Sequence, residues 1–135
     1  MSVGKICTRE VYLAEAEESA VAAAKRMSRH NVGTLVVLNE ISEPVGIITD
    51  RDLALGVVAT DRPNSVAVRE IMSRLPDTVT EDTAIETALS VMRTGQHRRL
   101  PVVDSIGKLV GIVSLDDILE LLVEEFKSIG ELLEH

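Results

Sequence analysis

Aromatic side chains are nearly missing from this chain: Tyr12 and Phe126 are the two, and there is no tryptophan. That scarcity excludes a stacking platform for single-stranded nucleic acid. It also leaves the core to Val, Leu, Ile and Ala. Cysteine is equally scarce. Cys7 stands alone, so no internal disulfide and no cysteine-rich metal site can form. Positive charge is in deficit, with 14 Lys and Arg against 22 Asp and Glu. The resulting net charge of −8 works against binding to nucleic-acid backbones by bulk field. No apolar run approaches the ~20 residues needed to span a bilayer, and no signal-peptide pattern opens the chain. The expectation is a cytoplasmic protein that binds neither membrane nor nucleic acid. With 135 residues it needs neither disulfide nor metal to build a core, and His135 is given no role.

What the chain has in quantity is repetition. Gly46-Ile-Ile-Thr-Asp-Arg-Asp-Leu53 returns 65 positions later as Gly111-Ile-Val-Ser-Leu-Asp-Asp-Ile118. The same offset places Ala23 on Ala88, Met27 on Met92, Leu35 on Leu100, Val37 on Val102 and Ile41 on Ile106. A unit used twice divides the chain into residues 1–62, 63–127 and a terminal stretch 128–135.

Both units read alike. Apolar spacing of three and four predicts a helix over 17–30 and again over 82–94. Strands follow at 34–38 and 100–103, then polar turns at 39–44 and 104–108. Second strands at 45–48 and 109–113 close hairpins, and a helix starts directly after Thr49 or Ser114. Residues 60–65 read as a polar linker and 66–73 as a helical turn leading into the second unit. The last helix carries Leu115, Ile118, Leu119, Leu122, Phe126, Ile129 and Leu133 as an apolar stripe. A stripe of that length calls for its own core and for a second subunit.

The chemistry concentrates at Thr49-x-x-Asp52 and Ser114-x-x-Asp117. Ser or Thr followed three residues later by an acid is a helix capping box, and that reading needs no ligand. A second reading uses the same atoms. Helix N-termini at a strand edge favour anions, and a carboxylate there can accept two hydrogen bonds from a ribose diol. The one cluster of positive charge, His97-Arg98-Arg99, reads either as a surface patch or as a bidentate grip on phosphate oxygens. Arg51 is a further candidate, and His30 is expected to complement a helix C-terminus.

Gly-hydrophobic-x-(Thr/Ser)-x-x-Asp in both units, with His97-Arg-Arg-Leu-Pro-Val-Val-Asp104 opening a strand, resembles the tandem cystathionine-β-synthase (CBS) domain pair, or Bateman module. The resemblance covers residues 3–126. It implies an α/β fold of two repeats about a pseudo-twofold, each a small three-stranded sheet with helices on one face. It implies a stand-alone regulatory module that binds an adenine nucleotide or an S-adenosylmethionine-type ligand in clefts between the repeats. Asp52 and Asp117, with Thr49 and Ser114, would hold ribose. Arg98, Arg99, His97 and Arg51 would face phosphate. Tyr12, at the start of the first strand, is a candidate contact for the adenine. No metal and no catalytic cofactor are implied. Partners would be the ligand, a second copy in a disc-like homodimer and an unidentified regulated protein.

The first repeat departs from the pattern. Its strand starts Val32-Gly-Thr-Leu-Val36, without a basic residue or a proline, so two inequivalent sites are expected. Two other classes compete. An enzyme lacks support, because no Walker loop, Gly-rich dinucleotide loop or His-Glu-x-x-His is present. A dimerisation scaffold would keep the repeat for packing alone.

Overall fold

The computed structural model of the chain describes residues 1–74 and 77–134. Two compact units form, neither contiguous in sequence: residues 10–74 with 106–109, and residues 1–9, 77–105 and 110–134. They are termed the first-repeat and second-repeat units.

In the first-repeat unit, β1 (Leu13–Ala14), α1 (Ala20–His30), β2 (Thr34–Leu38), β3 (Pro44–Thr49), α2 (Asp50–Leu53) and β4 (Ser73–Arg74) follow in chain order. The sheet order is β1-β2-β3-β4. β1 and β2 are parallel, and α1 provides the crossover that a parallel pair requires. β2 and β3 form the expected antiparallel hairpin, with Thr34 opposite Thr49. Asn39 shapes its turn: the side-chain oxygen accepts from the N–H groups of Ile41 and Glu43, and Ser42 takes φ 65°. The Leu35-Val36-Val37 run does not alternate because all three residues are buried.

α1 starts three residues later than the apolar spacing predicts. Ser19 remains extended, bridges to Ala67, and caps the helix by accepting from the Ala22 N–H. From within α1, Arg26 donates to both carboxylate oxygens of Glu18, just ahead of the helix, and to the Leu13 carbonyl, tying α1 to β1. The Arg26 guanidinium holds the Glu18 carboxyl below its ordinary value.

The second-repeat unit contains β5 (Val79–Thr80), α3 (Ile85–Gly95), β6 (Arg99–Val103), all but the first residue of β7 (Leu109–Ser114) and α4 (Leu115–Leu133). Its sheet order is β5-β6-β7. α3 too begins late, at Ile85, because Ala84 is held extended in a bridge to Ser2.

The cores are two copies of one pattern. Val3, Val79, Ala88, Met92, Leu100, Val102, Val113 and Ile118 are clustered in one. Val68, Ala14, Ala23, Met27, Leu35, Val37 and Ile48 hold seven of the corresponding places in the other, with Leu53 packed against them. Val3 and Val68 belong to leading segments that dock by backbone. The Val3 N–H donates to Thr83 and that of Val68 to Glu18.

This docking alters one expectation. The first sheet has four strands rather than three, because the helical turn expected over 66–73 is confined to Val68–Glu70 and the chain then extends as β4 against Gly46 and Ile47. In the second-repeat unit a single bridge, Thr8 to Ile112, takes the corresponding place. The repeats also diverge after the Thr/Ser corner. α2 is one turn followed by a π-helical stretch, Ala54–Val58, whereas α4 runs for 19 residues. Gly56 and Val57 are poor helix formers and Pro63 soon follows, while the matching positions of the first two hold Leu121 and Leu122. Among the described residues no helix is long and apolar enough to cross a membrane.

Candidate functional site

Each corner forms where the last strand of a hairpin turns into a helix. Thr49 and Ser114 have extended backbones at the N-cap, φ −119° and −114°. The Asp52 N–H donates to Thr49 Oγ1 at 3.1 Å, and the Thr49 N–H donates to Asp52 Oδ2 at 2.9 Å. Ser114 and Asp117 repeat both bonds at the same two distances. The capping box is therefore complete in both units. It draws on Oδ2 of each carboxylate, whereas a carboxylate offers about four acceptor positions.

The glycine that opens each motif has a steric reason. A Cβ on Gly46 would lie 2.5 Å from Met72 Sδ and 2.9 Å from the Ser73 carbonyl oxygen. On Gly111 it would lie 2.8 Å from the Thr8 carbonyl oxygen and 3.2 Å from Cys7 Sγ. The docked leading segments occupy that space, so each strand is pinned shortly before the capping hydroxyl.

The start of the preceding strand meets each helix start. The Asp50 N–H donates to the Gly33 carbonyl at 3.0 Å, and the Leu115 N–H donates to the Arg98 carbonyl at 2.8 Å. The Arg98 backbone is thereby joined to the first residue of α4, whereas Gly33 holds the matching place at α2 and Thr34 pairs with Thr49. Thr34 Oγ1 is buried without a hydrogen-bond partner among the described residues. Asp50 covers Gly33, whose Cβ would lie 2.9 Å from the Asp50 carboxylate.

Arg51, Arg98 and Arg99 are all exposed. Their guanidinium groups make no ion pair with any of the described residues. His97 differs: its Nε2 lies 3.7 Å from Asp77 Oδ2, a salt bridge whenever the imidazole is protonated. A groove of about 340 Å³ is floored by Leu89, Met92 and Leu115, with His97 and Arg98 on its wall; Asp117 is outside it.

Tyr12 sits at the mouth of β1, where its carbonyl accepts from the Val36 N–H. Its ring stacks on His30, centroids 4.2 Å apart, and its hydroxyl donates to Glu10 at 2.9 Å. That bond keeps the phenolic proton on and raises the Tyr12 pKa. His30 is in the last turn of α1, as expected of a dipole partner. Sequence reasoning missed Asp77 and Thr34. Asp77 stands 65 positions after Tyr12 and Thr34 the same distance before Arg99, so the offset itself pointed to both.

The sequence pattern of the CBS domain matches residues 3–58 and again 68–124. An uncharacterized protein of Methanopyrus kandleri is 43% identical over 90% of the chain, which spans 62% of that protein's length. A 17.7 kDa protein of Acidianus ambivalens is 38% identical over 90% of the chain and 73% of its own length. Among solved structures, a protein with CBS domains from Burkholderia ambifaria is 27% identical, with TM-score 0.82 over 92% of this chain and 95% of that one. The CBS domain pair of protein MJ0100, in complex with 5′-methylthioadenosine and S-adenosyl-L-methionine, is 30% identical, with TM-score 0.82 over 93% and 98%. Repeated core, repeated capping corner and sequence match converge on one assignment: this chain belongs to the CBS domain family and carries two of its domains in tandem.

Proposed function

We propose that the protein is a regulatory, non-catalytic sensor of adenosyl ligands, of the AMP, ADP, ATP or S-adenosylmethionine type, acting in the cytoplasm on a separate protein. The observation that carries this reading is the doubled Thr/Ser–Asp corner, held by the same two hydrogen bonds in both units. A cap alone needs no arginine joined to the helix it starts. Asp52 and Asp117 would accept from ribose hydroxyls, with Thr49 and Ser114 donating alongside. Arg98 and Arg99 would supply charge-assisted bonds to phosphate or carboxylate, seconded by His97 and Arg51. Tyr12 would touch the adenine by turning from His30. The unpaired Thr34 hydroxyl is a group that a bound molecule would satisfy. The related CBS pair that holds adenosyl ligands supports the ligand class. We also propose that the protein is a homodimer, because much of α4 presents apolar side chains to solvent.

A scaffold without ligand is the second reading. It is favoured by the completeness of both boxes, since each carboxylate already has a structural task. Thermal shift separates the two. A ligand that binds only the folded state adds about 2.7 kcal/mol at a hundredfold excess over its Kd. Melting should therefore rise with at least one of adenosine, AMP, ADP, ATP or S-adenosylmethionine. Unchanged melting with all five at millimolar concentration would leave the scaffold standing.

A further inference from the structure

The turn between β2 and β3 carries an apolar residue in the open. Asn39 Oδ1 accepts from the N–H groups of Ile41 and Glu43, and the turn so formed leaves Ile41 60% exposed. Turn positions favour Asn, Asp, Ser and Gly, so the turn itself does not explain an isoleucine there. Nor does Ile41 stand by itself. It lines a groove of about 720 Å³ with Ala16 and Leu38, and the remaining walls are Glu15, Glu17, Asn39 and Glu40. An adjoining turn is tied on by the Leu109 N–H, which donates to the Ser42 carbonyl, and by Lys108 Nζ, which donates to that of Ile41. That turn carries Ile106, the counterpart of Ile41 at the offset of 65, and it is 68% exposed.

Charge narrows the choice of occupant. Glu15 and Glu40 are exposed and form no ion pair with any described residue. Glu17 meets Arg69 Nε at 2.9 Å yet keeps 75% of its side chain in water. Glu43, which accepts from Asn39 Nδ2, adds a further acid on the turn. Lys108 is a basic group close by, with its ammonium on the Ile41 carbonyl. Carboxylates around an apolar floor suit a chain that carries both cationic and apolar side chains. A bare metal ion would leave the floor wet, and an acidic or wholly apolar segment would leave the carboxylates uncompensated. The location fits as well. Thr34 pairs with Thr49 at one end of the hairpin and Leu38 with Pro44 at the other. The groove therefore lies the length of β2, about 13 Å, from the Thr49 corner, so its occupant and a ligand at that corner would not compete.

We infer that this groove docks a basic peptide segment of the regulated protein, with Lys or Arg side chains on Glu15, Glu17 and Glu40 and an apolar side chain on Ala16, Leu38 and Ile41. This rests on the reading above that the chain acts on a separate protein, and it supplies that partner's chemistry. The test is fluorescence anisotropy of a labelled Lys-Leu repeat peptide titrated with the full chain at about 50 mM salt, where screening is weak. A Glu-Leu repeat serves as the control, and circular dichroism checks the folding of each variant. The Lys-Leu peptide should bind saturably and the Glu-Leu peptide should not. Glu15→Lys with Glu40→Lys should weaken binding about tenfold or more, and Ile41→Ser about threefold or more. Glu131→Lys with Glu134→Lys, the same charge change at the end of α4, should leave it within twofold. An equal loss in that control pair, or no loss in a folded Ile41→Ser variant, would overturn the docking site. A change of oligomeric state in Glu15→Lys with Glu40→Lys, read by light scattering, would assign the groove to a second copy and overturn it too. Absence of Lys-Leu binding would also overturn it while leaving the sensor reading intact, because thermal shift with the adenosyl compounds tests that reading separately.

Discussion

At the scale of single residues, the motif carboxylates have two tasks that a measurement can separate. Asp117 accepts the Ser114 N–H through Oδ2 and, in the proposed reading, a ribose diol as well. Asp117→Ala should weaken an adenosyl ligand by about 1.5–3 kcal/mol, the scale for a hydrogen bond to a charged group. It should also cost α4 about 1 kcal/mol of capping. Circular dichroism reports the second effect and calorimetry the first. Unchanged affinity in a folded variant would remove Asp117 from the ribose role. Arg98 and Arg99 call for a different comparison. Replacing either by Ala should weaken ATP and AMP by about tenfold or more and leave adenosine nearly unchanged, since adenosine has no phosphate to lose. Equal losses for all three would mean that the arginines do not hold phosphate.

Among the elements, the decisive contact is a strand passing over a glycine. The Thr8 carbonyl lies where a Gly111 side chain would be, and backbone cannot move aside as a flexible side chain can. Gly111→Ala should therefore destabilise the second-repeat unit by about 1–3 kcal/mol, the usual cost of overpacking. Gly46→Ala also meets a carbonyl, that of Ser73, but its nearest neighbour is the adaptable end of Met72. Its penalty should be the smaller of the two in urea denaturation, and the reverse order would contradict the geometry. None of this was visible in the motif. Glycine opens both copies, but the segment that requires it comes from far away in the chain: Thr8 in one case, Ser73 in the other.

For the whole molecule, the Glu18–Arg26 pair is a source of stability that acid removes. Glu18, 14% exposed at its side chain, is held by Arg26, and its pKa in the folded chain is lowered from 4.5. A depressed carboxyl stabilises the fold above its unfolded pKa, and that contribution is lost as pH falls through the lower folded value. The wild type should therefore lose stability relative to Glu18→Gln between about pH 5 and the acid range, the window over which a paired carboxylate protonates. Matching pH profiles for the two proteins would show that the Arg26 pair does not contribute. Ligand stabilisation belongs to the same scale, because a molecule held at the proposed corners would raise melting of the chain as its concentration grows relative to Kd.

The duplicated α/β plan, the hairpins, both capping boxes and the unequal charge of the two strand starts are all legible in the amino acids alone. They depend on neighbours within about a dozen residues, the reach of hairpin and cap signals, or on a pattern printed twice at one offset. Where α1 and α3 begin is set instead by tertiary contact, because Ser19 and Ala84 are held extended by bridges to Ala67 and Ser2. Folding likewise added β4, gave Gly46 and Gly111 their steric reason, placed Asp77 against His97, and paired Tyr12 with His30. Each of those contacts joins residues that are separated along the chain. Local propensity carries no information about them, since they exist only once the leading segments have docked and the sheets have closed.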